Sequence, residues 1–282
     1  MSFEPLKTGD VSATKTKTLV YADAGWGKTK QASYYKAAFG PGFVLSGESG
    51  LITLAKDQID YLPFLRWDED SQGDGAAFRA LAKQMVTSEF KAMGYKWIMV
   101  DSLTELADLC YKHFQDKGYK NGWDLYNDYG TALLGAMKWF RDLPYHVIVT
   151  SLVKEDRDDN GAPQYWPMMK GNMAQRQITG IFDNVLGGIV RTQYAESDER
   201  RVKPIVDRFM VTARVGGWTG KVRTPYPERV KPVERADAGI PFLLRKLLMS
   251  ETNWKTYLAA EKAAEERLAD TANLEGERVA QP

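Results

Sequence analysis

Short apolar runs alternate along this chain with longer segments in which apolar residues recur every three or four positions. The short runs predict strands at Thr18–Tyr21, Phe43–Leu45, Trp97–Asp101, His146–Ser151, Val185–Arg191 and Asp207–Ala213. The longer segments predict helices at Thr29–Ala38, Ala76–Met93, Leu103–Gln115, Asp124–Phe140 and Trp254–Leu268. Strands that alternate with helices of this length are typical of βαβ units. The predicted fold class is therefore α/β, a mainly parallel twisted sheet flanked by helices.

The regions outside this alternation have other compositions. The polar segment Lys154–Gln175 contains Asp159-Asn160-Gly161 and is predicted to be a loop. Residues 1–16 are polar without periodicity and form a predicted lead-in segment. Residues 241–282 are predicted to be a C-terminal helical segment with an acidic tail. The core domain is thus predicted to span residues 17–240.

A glycine-bearing loop lies between the first predicted strand and the first predicted helix. This segment, Ala22–Thr29, reads ADAGWGKT, and we call it the P-loop. Its backbone N–H groups would point at phosphates, while Lys28 reaches the β- and γ-phosphates and the Thr29 hydroxyl binds magnesium. The first position is alanine where the pattern has glycine. The predicted ligands are ATP and Mg²⁺, and the residues predicted to bind them are Asp23, Ala24, Gly25, Trp26, Gly27, Lys28, Thr29 and Lys30.

Another predicted strand, which ends in a carboxylate, completes the pattern of a nucleotide site. The apolar run Trp97–Val100 ends in Asp101, some seventy residues after the P-loop. The carboxyl ends of parallel strands meet at one edge of a sheet, so Asp101 is expected beside the P-loop. There it would hold the hydration shell of the magnesium ion together with Thr29.

These segments resemble a known family. The sequences Asp101–Leu106 and Phe43–Gly50, with the P-loop, are similar to the RecA-type recombinase core. The similarity is greater to phage-encoded, core-only RecA-like ATPases of the single-strand-annealing type, over roughly residues 15–230. The resemblance implies a RecA-like P-loop NTPase fold for the core. It also implies that Glu48 activates the attacking water, a role that suits a carboxylate near the γ-phosphate.

Two further functional elements are implied by this resemblance. Ser151 falls where relatives carry a γ-phosphate sensor, although many relatives have histidine or glutamine there. The sequence Gly220–Arg223 is similar to a Lys-x-Arg element in which Lys221 and Arg223 would reach a neighbouring subunit's γ-phosphate. A guanidinium in that place stabilises the charge spread during phosphoryl transfer. The resemblance thus implies a homo-oligomer, either a ring or a filament.

The predicted loop Lys154–Gln175 falls where RecA-like proteins place a DNA-binding loop. Basic side chains that follow a phosphate backbone and aromatic rings that stack on bases suit single strands. Acidic residues in the first half of the loop, such as Glu155 and Asp156, oppose this role. Single-stranded DNA is the predicted partner, and the predicted contacts are Lys154, Arg157, Tyr165, Trp166, Lys170 and Arg176.

Composition adds the cellular setting. The net charge is +1, but basic residues concentrate between Arg200 and Arg235 and acidic residues begin at Glu261. This asymmetry fits either a polyanionic partner or solvated faces of both signs. The single cysteine, Cys110, cannot form an internal disulfide. No apolar run is long enough for a bilayer and no secretory signal is recognisable, so the expected location is the cytoplasm, that of the host if the protein is phage-borne.

The leading hypothesis is an ATP-hydrolysing protein that acts on single-stranded DNA in phage recombination, annealing or repair. A single-strand-binding protein would be a further partner. One alternative is a hexameric helicase or replication motor of the DnaB type, which shares the same motifs. Others are a P-loop kinase for a small molecule or nucleoside, and a nucleotide-gated interaction module with little turnover.

Overall fold

The structure is a computed structural model that describes residues 15–48, 50–69, 73, 75–193 and 205–263. The strands are β1 (Lys17–Ala22), β2 (Gly42–Ser46), β3 (Asp60–Pro63), β4 (Trp97–Asp101), β5 (His146–Ser151), β6 (Val153–Arg157), β7 (Pro163–Pro167), β8 (Asn184–Gln193), β9 (Ile205–Val211), β10 (Lys221–Val222) and β11 (Val233–Arg235). The α-helices are α1 (Gln31–Phe39), α2 (Phe78–Gln84), α3 (Ser88–Ala92), α4 (Leu103–Gln115), α5 (Gly122–Asp142), α6 (Asn172–Ile181) and α7 (Gly239–Leu248). Residues 251–263 are also helical.

The described residues form a nine-stranded main sheet and a separate two-stranded ribbon. The main order is β11-β9-β8-β1-β5-β4-β2-β3, with β10 also paired to β8, and the ribbon is β6-β7. Neighbours from β8 to β3 are parallel, whereas β9, β10 and β11 pair antiparallel. Every residue of β1, β2, β4 and β5 is buried, as expected for parallel strands covered on both faces. The predicted fold class, an α/β fold with a mainly parallel sheet flanked by helices, is confirmed.

Helices cover both faces of the sheet. On one face α1 and α7 pack together over a core that includes Val20, Tyr35, Trp97 and Leu243. On the other face α2 to α6 cover a larger core. None of the helices in the described part of the chain combines the length and apolarity that a bilayer span needs.

Two secondary-structure predictions are wrong. The predicted helix Ala76–Met93 is two short helices, α2 and α3. The break comes where the Thr87 hydroxyl accepts a hydrogen bond from the backbone N–H of Phe90 and caps α3.

The predicted loop Lys154–Gln175 is instead the β6–β7 hairpin followed by the start of α6. Its tip is an Asp158 turn, in which the carboxylate accepts backbone hydrogen bonds from Asn160 and Ala162 at 2.9 Å each. A ribbon whose polar side chains face water has the composition of a loop, which explains the error.

The domain boundaries stay a prediction. Residues 1–14 of the predicted lead-in and the part of the predicted helix Trp254–Leu268 beyond residue 263 lie outside the described residues.

Candidate active site

The P-loop connects β1 to α1 at the carboxyl edge of the parallel strands. Gly25 and Gly27 have φ angles of 82° and 101°, in the left-handed region that glycine adopts without a steric penalty. Two such residues turn the chain back toward the first turn of α1, which begins at the end of the loop. The loop therefore has the conformation of an anion-binding nest at a helix N-terminus.

The alanine at the first P-loop position is accommodated by a neighbouring glycine. Ala22 is fully buried and pairs with Gly188 of β8. A Cβ atom on Gly188 would lie 2.5 Å from the Ala22 Cβ atom and 2.7 Å from the Trp26 ring. The volume added at position 22 is thus balanced by the absence of a side chain at position 188.

Lys28 lies inside the mouth of the P-loop. Its ammonium group donates to the carbonyl oxygens of Ala22 and Asp23, both at 3.0 Å, and only 9% of the residue is exposed. Burial lowers the pKa of this amine, while Glu48 and Asp101 act in the opposite direction. The two hydrogen bonds thus fix the Lys28 amine at the site predicted for the phosphates.

Asp101 is held by two threonine hydroxyls. Thr29 Oγ1 donates to Asp101 Oδ2 at 2.7 Å, and Thr150 Oγ1 donates to Oδ1. The residue is 1% exposed, and burial raises the pKa of its carboxyl above the usual range. A carboxylate beside a P-loop hydroxyl supplies the oxygen ligands that magnesium prefers, so these residues fit the predicted ion.

Glu48 is held close to Asp101. Ser102 Oγ donates to Glu48 Oε1, and Ser46 Oγ donates to the Glu48 carbonyl at 2.8 Å. The backbone N–H of Gly47 donates to the Asp101 carbonyl at 2.7 Å, which joins the ends of β2 and β4. The structure therefore brings together Lys28, Thr29, Glu48 and Asp101, and we call these four residues the catalytic cluster.

Sequence reasoning missed two residues that position this cluster. Thr150 is not among the predicted site residues, yet its hydroxyl donates to Asp101. Ser102 is the N-cap of α4 and also bonds Glu48. The available signal was adjacency, because each is next to a predicted site residue in the chain.

Ser151 makes other contacts. Its Oγ lies 3.1 Å from Thr104 Oγ1, donates to the Leu152 carbonyl at 2.8 Å and accepts from the Met168 N–H at 3.0 Å. The residue is fully buried. Its hydroxyl joins β5 to α4 and to the end of the hairpin, and the sensor role stays a prediction.

The remaining predicted P-loop residues differ in exposure. Asp23 and Ala24 are exposed, and Lys30 forms a 3.4 Å ion pair with Asp57. Trp26 is only 1% exposed, and its Nε1 donates to the Phe209 carbonyl at 2.9 Å. The Trp26 side chain thus anchors the loop to β9.

Lys221 and Arg223 lie near the amino ends of the parallel strands, at the opposite side of the sheet from the P-loop. Val222 pairs with Asn184, which pairs with Thr18 near the start of β1. This position is roughly 13 Å along the strand from Ala22, given a rise of ~3.3 Å per residue. Lys221 Nζ donates to the Thr179 carbonyl at 2.7 Å, whereas the Arg223 side chain is 58% exposed and pairs with Asp183. Neither side chain lies beside its own subunit's P-loop.

The hairpin separates the predicted DNA contacts into groups. The rings of Tyr165 and Trp218 stack at 4.5 Å, and both pack against the core. Lys170 lies beside α4, where it pairs with Asp108 and covers the Tyr111 ring. Lys154 pairs with Asp156. The other three, Arg157, Trp166 and Arg176, line one groove of 340 Å³ that also contains Arg214.

The part of the chain that carries the candidate site matches the model of a known domain family. The model of the AAA domain family matches residues 14–224, which include the P-loop, Glu48, Asp101 and the Lys-x-Arg element. The chain belongs to the AAA domain family. This AAA domain is an ATPase of the P-loop class, as the sequence predicted. A search of curated proteins finds no significant match.

Solved structures of two secretion ATPases and of a recombinase are similar to this AAA domain. An ATPase of the type III secretion system of pathogenic bacteria has 15% identity and a TM-score of 0.38, and the match covers 61% of this chain and 51% of that one. The RadB recombinase has 16% identity and a TM-score of 0.35, and the match covers 73% of this chain and 91% of RadB. The secretion ATPase EscN of enteropathogenic E. coli has 14% identity and a TM-score of 0.35, with coverage of 62% and 43%. The chain thus spans about half the length of the two secretion ATPases.

The burial of Asp101 predicts an effect on stability. Because its pKa is raised in the folded state, ionisation of this carboxyl lowers the free energy of unfolding as pH rises above the ordinary aspartate range. We expect Asp101→Asn, measured without nucleotide at pH 7–8, to unfold at a higher temperature than wild type while losing ATP hydrolysis. The difference should shrink as the pH is lowered toward 4. Asp159→Asn, in the exposed hairpin turn, is the control, and a lower melting temperature for Asp101→Asn would contradict this account.

Proposed function

We propose that this ATPase is a phage protein that couples ATP hydrolysis to the handling of single-stranded DNA in recombination, annealing or repair. The observation that carries the hydrolytic half is the catalytic cluster, in which one edge of the sheet holds an ammonium, a hydroxyl and two carboxylates. The DNA half is supported by the basic and aromatic groove beside the β6–β7 hairpin.

Each residue of the catalytic cluster has a distinct role in this proposal. The P-loop N–H groups and Lys28 bind the triphosphate, and Thr29 and Asp101 hold magnesium, which would neutralise charge on the phosphate oxygens. Glu48, fixed by Ser102, orients the attacking water and accepts its proton. No covalent intermediate with the protein is needed.

The groove has the chemistry expected for a single strand. Three guanidinium groups, on Arg157, Arg176 and Arg214, share it with the half-buried Trp166 ring. Arginine follows the phosphate backbone and the indole ring stacks on a base. Asp156 and Asp158 also line the groove and reduce its net charge, which favours moderate rather than tight binding.

The hairpin is also connected to the nucleotide edge. The Tyr21 hydroxyl, on β1 just before the P-loop, donates to the Tyr165 carbonyl at 3.1 Å. Ser151 bonds the backbone of Met168 at the end of the hairpin. DNA in the groove would therefore contact a segment joined directly to the strands that carry the catalytic cluster. Steady-state ATP hydrolysis with single-stranded DNA, with duplex DNA and without nucleic acid tests the proposal, because stimulation by the single strand alone is expected.

The separation of the predicted DNA contacts gives a matched comparison. Replacing Arg176 and Arg214 by alanine should lower the slope of log affinity against log salt by about 1 to 2 units, because each removes a phosphate contact. Lys170→Ala, on the α4 side of the hairpin, should leave the slope unchanged. Fluorescence anisotropy with an oligothymidine at several salt concentrations measures both. An equal effect of Lys170→Ala would move the DNA path to that side.

Assembly follows from the Lys-x-Arg element. Arg223 is too far along the sheet to serve its own P-loop, but it is exposed at the opposite edge. In an oligomer that joins this edge to the P-loop edge of the next copy, Arg223 would stabilise the transferring phosphoryl group in the neighbour. We therefore propose a homo-oligomer as the active unit.

A further inference from the structure

The catalytic cluster fixes the direction in which a nucleotide lies across the P-loop. Thr29, Asp101 and Glu48 all lie on the side of β1 that carries β5, β4 and β2. Magnesium and the γ-phosphate belong beside these residues. The nucleoside must then extend to the other side of the loop, toward β8 and β9.

A pocket of 320 Å³ lies on that other side. Its lining includes Gly27 of the P-loop, Lys30 and Tyr34 of α1, Arg208 of β9, and Ala236 and Asp237 after β11. Lys30 and Tyr34 are four residues apart and so lie on one face of the helix that begins at the P-loop. The pocket is therefore continuous with the phosphate site and within the size range of ligand pockets.

The Tyr34 ring is held in place within this pocket. Its hydroxyl donates to the Asp237 carbonyl at 3.1 Å. On the other side the ring lies against Gly239, where an added Cβ atom would come within 2.5 Å of it. A ring fixed at both its hydroxyl and its edge can stack on a flat ligand without losing further side-chain freedom.

We infer that this pocket binds the nucleoside of the triphosphate, that Tyr34 stacks on the base, and that Asp237 selects adenine. The inference rests on the proposed nucleotide site and adds its specificity. Adenine presents an amino group where guanine presents a carbonyl oxygen. The Asp237 carboxylate is 54% exposed and pairs with Arg235 through one oxygen. It would accept a hydrogen bond from the amino group of adenine and repel the carbonyl oxygen of guanine.

The test compares Mg–ATP with Mg–tripolyphosphate, which has the same phosphate chain without a nucleoside. Wild type should bind ATP more tightly than tripolyphosphate. Tyr34→Ala should weaken ATP binding about 10-fold, the scale of one lost base-stacking contact, and leave tripolyphosphate binding unchanged. Tyr34→Phe keeps the ring and should retain ATP affinity. Tyr119→Ala, in the turn between α4 and α5, is the control.

The outcomes separate this inference from the proposed function. If wild type binds tripolyphosphate as tightly as ATP, the pocket makes no nucleoside contact and the inference is overturned, while the P-loop assignment stands. An equal loss of both ligands in Tyr34→Ala would show that Tyr34 only supports the loop, which also overturns it. Binding of neither ligand by wild type would overturn both proposals.

Base selection is measured separately. Wild type should prefer ATP to GTP, and Asp237→Asn, which offers both a donor and an acceptor, should reduce that preference about 10-fold. An unchanged ATP-to-GTP ratio in Asp237→Asn would overturn the assignment of Asp237.

Discussion

Hydrolysis by the Arg223→Ala variant is expected to fall about 1,000-fold or more, while its affinity for Mg–ATP stays close to that of wild type. A guanidinium that reaches the transferring phosphoryl group acts mainly in the transition state, so its loss affects turnover far more than binding. Single-turnover hydrolysis and nucleotide titration measure the two quantities. Arg141→Ala, which removes a half-buried arginine near the same end of the strands, should leave hydrolysis unchanged.

Mixing subunits gives the sharper form of this test. Lys28→Ala should bind Mg–ATP poorly but retain Arg223, and Arg223→Ala has the reverse combination. In a mixed oligomer some interfaces pair an intact P-loop with an intact Arg223, so two nearly inactive proteins should recover hydrolysis together. If the two variants co-assemble and no activity returns, Arg223 does not act across an interface.

Glu48→Gln should bind ATP normally and hydrolyse it at least about 100-fold more slowly, the usual effect of losing a general base. Glutamine preserves the length of the side chain and can still accept from Ser102, so the variant isolates the loss of the basic oxygen. Quenched-flow measurement of phosphate release after ATP mixing gives the rate.

Glu105 provides the matched comparison for Glu48. It lies against Gly47 at the same edge, and burial raises the pKa of its carboxyl. If Glu48 is the base, the Glu105→Gln variant should keep most of the wild-type rate of hydrolysis, because Glu105 then takes no part in the proton transfer. The opposite result, with Glu105→Gln inactive and Glu48→Gln active, would assign the base to Glu105.

The sequence was most informative where local and long-range forces agree. The bounds of α4 were predicted to the residue, because Ser102 caps its start and the apolar positions repeat at the helical period. Buried parallel strands were also recognised, since β4 and β5 are continuous apolar runs. Asp101 was assigned from the expectation that parallel strands end at one edge, and Glu48 from the resemblance to RecA-like ATPases.

What escaped prediction depends on contacts between distant segments. The separation of Tyr165 from Trp166 follows from strand alternation, which puts one ring against Trp218 and the other in the arginine groove. Arg214 joins that groove only because β9 returns alongside β8. The role of Gly188 opposite Ala22 required the strand register. Apart from the alternation of Tyr165 and Trp166, none of these relationships has a signature within a short stretch of sequence.

The supports of the P-loop also determine when the site can form during synthesis. Trp26 bonds a residue 183 positions later, and Gln31 accepts from Ile240, 209 positions later. A ribosome adds roughly 5–20 residues per second, so the P-loop exists for on the order of ten seconds or more before β9 and α7 emerge. During that interval the side chains of Trp26 and Gln31 lack these partners. Nucleotide binding is therefore a late event in biogenesis, and a chain that stops before β11 should lack it.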